Sequence, residues 1–67
     1  MAKLHDTQKR YKIIATHYDY KRVFNTVGMD NAKRMAVNIL NTAVSDPIYA
    51  IRVEDIETGE TVFEYSA

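Results

Sequence analysis

Residues 51–65 read IRVEDIETGETVFEY: apolar and polar residues alternate, break at Glu57-Thr58-Gly59, and then alternate again. A period of two sends successive side chains to opposite faces of a strand. Gly59 supplies the positive φ that a three-residue hairpin loop with a G1 bulge requires. With Glu57, Thr58 and Gly59 as the loop, Ile56 faces Glu60, Asp55 faces Thr61, Glu54 faces Val62, Val53 meets Phe63, Arg52 meets Glu64 and Ile51 meets Tyr65. The Val53–Phe63 and Ile51–Tyr65 pairs then define one face for a core. Arg52, Glu54, Val62 and Glu64 define the other, of mostly solvent-facing chemistry. Cross-strand pairs of these kinds contribute roughly 0.2–1 kcal/mol each, and a one-residue slip would scatter them.

A second β-rich region precedes it. Residues 9–18 (KRYKIIATHY) and 21–27 (KRVFNTV) are rich in strand formers, with a turn expected at Asp19 and Tyr20. A two-residue loop would set Ala15 opposite Phe24 and Thr16 opposite Val23. A three-residue loop would set Thr16 opposite Phe24 and His17 opposite Val23. The adjacent Ile13 and Ile14 place apolar groups on both faces of the first strand, which calls for something to cover its outer side.

Between the two hairpins Gly28 breaks the strand pattern and Asp30 is suited to cap a helix. Residues 31–45 (NAKRMAVNILNTAVS) carry the 3.6-residue period. Ala32, Met35, Ala36, Ile39, Leu40 and Ala43 make one apolar stripe, whose alanines allow close approach to a sheet. Pro47 disfavours helix at Asp46 and ends it there. Residues 1–8 are polar and aperiodic and read as a flexible arm; residues 9–67 read as a single domain.

The predicted class is therefore α+β, in the order ββαββ, with one helix packed on a four-stranded sheet. This element order resembles the β-grasp fold, and the resemblance implies that the first and last strands pair in parallel at the sheet centre. It carries no functional residues with it.

Sixty-seven residues without cysteine exclude disulfide staples and cysteine-based metal sites. A domain this small is marginal on its own core and commonly gains stability from a partner or a second copy. No run approaches a membrane span, the N-terminal residues lack the apolar region of a secretory signal, and the expected setting is the cytoplasm. Net charge is zero but uneven. Residues 1–34 hold eight basic and three acidic residues, whereas residues 35–67 hold one basic and six acidic residues. Either the halves pack so that these charges mix, or the polarity is there for a charged partner.

Catalytic chemistry is sparse. His5 and His17 are the only histidines, and no metal-ligand spacing surrounds them; His17, near the expected turn, reads as a half-buried strand residue. Glu54, Asp55, Glu57 and Glu60 read as a solvated acidic turn. Phosphate-loop glycines and a cysteine nucleophile are absent. The expectation is a non-enzyme without cofactor, metal or small-molecule substrate.

Two binding functions are expected instead. The first is a small protein-binding module that docks on a protein or on a second copy as a homodimer, through the open sheet face and the first hairpin. Tyr18, Tyr20, Lys21, Arg22 and Phe24 are its contact residues. Short, cysteine-free, motif-poor chains of this kind resemble in style the accessory proteins with which phages bind and inhibit host proteins. The alternative is single-stranded nucleic-acid binding, in which Lys9, Arg10, Lys12, Lys21 and Arg22 would meet phosphates and the interleaved tyrosines would stack on bases.

Overall fold

The computed structural model describes residues 8–43 and 45–66. Strands β1 (Arg10–Thr16) and β2 (Lys21–Val27) form the first hairpin, α1 (Met29–Thr42) follows, and β3 (Ala50–Asp55) with β4 (Thr61–Ser66) forms the second. The predicted ββαββ order is the observed one. The expected flexible arm falls on residues 1–7, outside the described set, except for Gln8.

Strand order is β2-β1-β3-β4, antiparallel throughout. This departs from the β-grasp arrangement: β1 pairs with β3, antiparallel, and the last strand lies at an edge. Side-chain matching across the β1–β3 seam accounts for the choice. Ile13 meets Val53, Ala15 meets Ile51, and Lys12 meets Glu54. Lys12 Nζ lies 3.6 Å from Glu54 Oε1. A parallel pairing of β1 with β4 would have to give up this opposition.

One apolar row crosses all four strands: Phe24, Ile13, Val53 and Phe63. The helix lies over it with Ala32 and Ala36, both fully buried. Tyr11, Ile13, Ala15, Ile51 and Val53 supply the buried sheet side, with Met35, Ile39, Leu40 and Ala43 packed around them. The six-residue stripe read from the sequence is thus the stripe that packs. Two alanines at its centre bring the helix backbone down onto the sheet where larger side chains would hold it away.

The helix bounds differ from the expected 31–45. It starts at Met29, and Gly28, not Asp30, takes the capping position with φ 95° and ψ 137° and no side-chain cap bond. Gly28 N donates to Lys9 O at 2.8 Å, which ties the helix start to the residue before β1, and Gly28 O accepts from Ala32 N at 3.0 Å, the first bond of the helix. Asp30 sits inside the first turn, where its charge complements the helix dipole. The helix stops at Thr42, before the region that Pro47 restricts.

Both hairpins turn differently from expectation. In the first, Ala15 faces Arg22 and Thr16 faces Lys21, and His17 N donates to Tyr20 O at 2.8 Å. The turn is centred on Tyr18-Asp19, one residue earlier than expected. Phe24 keeps the helix-facing side that the two-residue loop assigned it, but lies opposite Ile13 instead of Ala15. In the second hairpin, Ala50–Ser66, Ile51–Tyr65, Arg52–Glu64 and Val53–Phe63 pair, the last three as read, and then the register shifts so that Glu54 meets Thr61. Asp55 N donates to Glu60 O at 2.8 Å and Gly59 N to Asp55 O at 2.7 Å, so the loop has four residues, Ile56 to Gly59. Gly59 has φ 76° as required. The surplus is taken up as a bulge at Val62. Val62 accordingly packs against the core instead of joining the solvent face.

Asp55 explains the longer loop. It is buried, and its Oδ1 accepts from Glu57 N at 2.9 Å and Thr58 N at 3.4 Å. This Asx-type turn winds the chain before the glycine. Lys9 Nζ approaches Asp55 Oδ2 at 3.9 Å. Asp55 is therefore a structural acceptor under the helix-facing side and not part of a solvated acidic turn.

Candidate functional site

The face away from the helix bears on the docking expectation first. Its central row is Val23, Ile14, Arg52 and Glu64, flanked by Lys12 and Glu54. Arg52 Nε donates to Glu64 Oε2 at 3.2 Å, and Arg52 Nη1 to Glu54 Oε2 at 3.3 Å. With Lys12 on Glu54, this makes a ladder of alternating sign, Lys12–Glu54–Arg52–Glu64, across β1, β3 and β4. Exposed pairs of this kind contribute at most about 1 kcal/mol each, but they give the face polar, hydrated chemistry. Ile14, Val23 and Val27, at its β1–β2 side, and the small Ala50 of β3 are the apolar strand side chains on this face. The uncovered apolar side expected of the first strand is a narrow strip.

Aromatic chemistry gathers instead at the end of the sheet that carries the β1–β2 turn. Tyr18, at the apex, is 84% exposed; Tyr20 is 44% and Tyr49 49% exposed. The rings of Tyr18 and Tyr49 lie 6.2 Å apart, tilted by 55°. Tyr49 arrives because its N–H bonds Thr16 O at 2.8 Å, which seats the start of β3 beside the end of β1. Sequence reasoning missed Tyr49. The signal was its place just after Pro47 and just before a strand, at the same end as a turn 30 residues earlier, and only the β1–β3 pairing makes those ends coincide.

His17 stacks face to face on Tyr20, with centroids 4.5 Å apart and planes 5° from parallel. It is 4% exposed, fully buried and not the half-buried strand residue expected. Tyr20 Oη donates to Asp46 Oδ2, and Asp46 Oδ1 lies 3.4 Å from His17 Nδ1. That separation has ion-pair length but not hydrogen-bond geometry, and neither ring nitrogen of His17 has a hydrogen-bond partner. The clasp pins the turn to the segment leading into β3. The hydrogen bond to Asp46, followed by desolvation and the Asp46 charge, holds the Tyr20 phenol above its ordinary value of 10.0. The clasp holds while Tyr20 keeps its proton and is lost as pH rises through the raised pKa. In an ultraviolet titration, Asp46→Asn should move the ionisation of one phenol to lower pH. An unchanged titration would disprove the clasp.

Beneath the clasp, a groove of about 300 Å³ is lined by His17, Arg22, Phe24, Thr42, Ser45 and Asp46 among others. His17 and Asp46 are groups of acid–base type, but nucleophilic catalysis requires a nucleophile hydrogen-bonded to its base. His17 makes no such bond, and Thr42 Oγ1 is committed to the Asn38 carbonyl at 2.8 Å. Among the described residues, no group of three or more His, Asp or Glu side chains is gathered for a metal ion; His5 lies outside them. No described helix is long and apolar enough to cross a membrane.

The remaining expected contact residues divide between two sides. Arg22 and Phe24 lie on the helix-facing side, the guanidinium 4.9 Å above the Phe24 ring. Lys21 lies on the open side, beside Thr16, Ala50 and Ser66. The basic set of the alternative reading is not brought together. Lys9, Arg10 and Lys12 lie at one end of the first hairpin and Lys21 and Arg22 at the other. Lys9 and Lys12 are also engaged by Asp55 and Glu54.

No family model, curated protein or solved structure matches the chain.

Proposed function

We propose that this chain is a small non-catalytic protein-binding module that acts by docking its tyrosine-bearing end on a protein partner and modulating it by occupancy. The observation that carries the reading is the joint exposure of Tyr18, Tyr20 and Tyr49 at one end of the sheet. Tyrosine supplies large, rigid contact area with a polar tip, and residues of this type dominate interface energetics. The clasp through Asp46 holds Tyr20 in place before any partner arrives, which lowers the ordering cost of association. Arg22 and Lys21 flank the tyrosines and suit a polar rim. Inhibition of a host protein, the mode of the phage accessory proteins that the chain resembles in style, is blockade of this kind. The lack of cysteine suits a reducing cytoplasm.

The test is affinity capture followed by measured binding of the captured protein. Tyr18→Ala combined with Tyr49→Ala should leave the circular dichroism spectrum unchanged and weaken binding at least about 30-fold, the loss of one aromatic hot spot. Lys12→Ala, at the far end, should bind as wild type. Binding indifferent to the tyrosines would overturn the reading. Single-stranded nucleic acid serves as the competing ligand: retention that tracks Lys21 and Arg22 and falls steeply with salt would replace it.

A further inference from the structure

We infer that copies of this chain associate head to tail, the exposed edge of β4 in one copy adding to the exposed edge of β2 in the next. This rests on the sheet edges and not on the tyrosine-bearing end.

Three observations carry it. First, the sheet order keeps the two charge classes apart. Both strands of the basic hairpin lie on one side and both strands of the acidic hairpin on the other, so β2 and β4 are the terminal strands. β2 opens with Lys21 and Arg22 and contains no acidic residue; β4 carries Glu64 and follows Glu60. Opposite charges along two free edges of one molecule favour contact between unlike edges of two molecules.

Second, the alternating ladder on the open face is unfinished. It runs from Lys12 through Glu54 and Arg52 to Glu64, ending in a negative charge at the β4 edge. A neighbouring β2 would place Lys21 diagonal to that charge.

Third, the backbone is in phase for it. The bonds His17 N to Tyr20 O and Gly28 N to Lys9 O set the β1–β2 ladder so that Arg22, Phe24 and Thr26 address β1. Lys21, Val23, Asn25 and Val27 then turn their amides and carbonyls outward. The bond Ile56 N to Arg10 O sets Arg52 and Glu54 toward β1, and hence Val53 and Ile51 toward Phe63 and Tyr65. Glu64 and Ser66 are left facing outward. A translated copy continuing the same rows pairs Glu64 with Val23 and Ser66 with Lys21 of the next copy, outward groups against outward groups. The same register sets Phe63 beside Phe24 and Tyr65 beside Arg22 on the helix-facing side, with Lys21 diagonal to Glu64 and within reach of it. β2 runs antiparallel to β4, so the added strand continues the antiparallel sheet with every helix on one side. Such a contact joins two different surfaces and does not close on itself. A symmetric β4–β4 contact would bring acid against acid, and a β2–β2 contact would leave Lys21 and Arg22 without acidic partners.

The test is sedimentation velocity over a range of concentrations. Wild type should grow in mean mass with concentration without reaching a closed dimer, and less so in high salt. Lys21→Glu and Glu64→Lys should each weaken association at least tenfold. Mixing these two variants sets unlike charges against each other at both alternating contacts, one as in wild type and one exchanged, so growth should return in the mixture. Asn25→Pro removes an outward amide without touching the β1 ladder and should also block growth. Circular dichroism checks that all three variants are folded. A wild type that stays monomeric at every concentration, or a closed dimer sensitive to Lys21→Glu and indifferent to Glu64→Lys, would overturn the inference.

Discussion

Ile13→Ala should cost about 2–5 kcal/mol, the range for truncating a fully buried aliphatic side chain in a core that relaxes only in part. Ile13 is 0% exposed, at the centre of the row that joins Phe24, Val53 and Phe63 under the helix. Ala32 and Ala36 lie on the helix side of this core, and neither has atoms to spare to fill the hole. The loss is large against what a chain of 67 residues has in reserve, which at about 0.05–0.15 kcal/mol per residue is only a few kcal/mol. A thermal scan by circular dichroism should show a midpoint lowered by more than about 10 °C, at roughly 4–8 °C per kcal/mol for a domain of this size, or no cooperative transition at all. Ile14→Ala supplies the contrast, since its neighbour points to the open face between Val23 and Arg52. It should cost about 1 kcal/mol, because that side chain is only half-buried, beside Val23 and the flexible Arg52. Equal losses from both variants would mean that the helix does not cover the side described.

Gly28→Ala should cost about 1–3 kcal/mol, the strain of holding an L-residue in backbone space that belongs to glycine. At φ 95° and ψ 137° Gly28 lies outside the small left-handed region that asparagine can share, so no side chain suits it. Relaxing the strain would swing its carbonyl away from Ala32 N, 3.0 Å off, and its amide away from Lys9 O. Either movement undoes the first turn of α1 or the junction with β1. Chemical denaturation should therefore report a lower midpoint with an unchanged slope. Gly59→Asn serves for comparison: φ there is 76°, nothing lies within 4 Å of an added Cβ, and the cost should be a fraction of that at Gly28. If the two substitutions were equivalent, the helix start would not depend on the unusual backbone at 28.

The two positions also mark how far residues alone lead. Element order was legible, because the period changes from two to 3.6 and back, with Gly28 and Pro47 between. The helix stripe and the Val53–Phe63 face were legible for the same reason: periodicity specifies which face is buried. What sequence could not assign was set by contacts distant along the chain. The helix begins at Met29 and not after Asp30, with its cap residue Gly28 bonded to Lys9, 19 residues earlier. The second loop is one residue longer than its glycine suggested because buried Asp55 gathers two loop amides. Pairing of β1 with β3, not β4, followed from matching side chains that no local pattern brings together. The site was read in part for the same reason. Tyr18 and Tyr20 belong to one turn and were visible; Tyr49 and Asp46 join them only through that seam. His17 was placed near the turn, but its burial follows from Tyr20 stacking on it across a turn one residue earlier than expected.

Val62 sets how the second hairpin tolerates changes in length. It stands outside the one-to-one pairing, between Thr61 opposite Glu54 and Phe63 opposite Val53. Removing that single residue leaves both neighbouring pairs as they are and costs only the packing of one side chain. Removing Glu64 instead would exchange inside for outside along the segment joined there, sending an aromatic ring into water and a charged or polar group under the helix. Lineages related to this chain should therefore gain or lose a residue at position 62 far more readily than at the positions on either side.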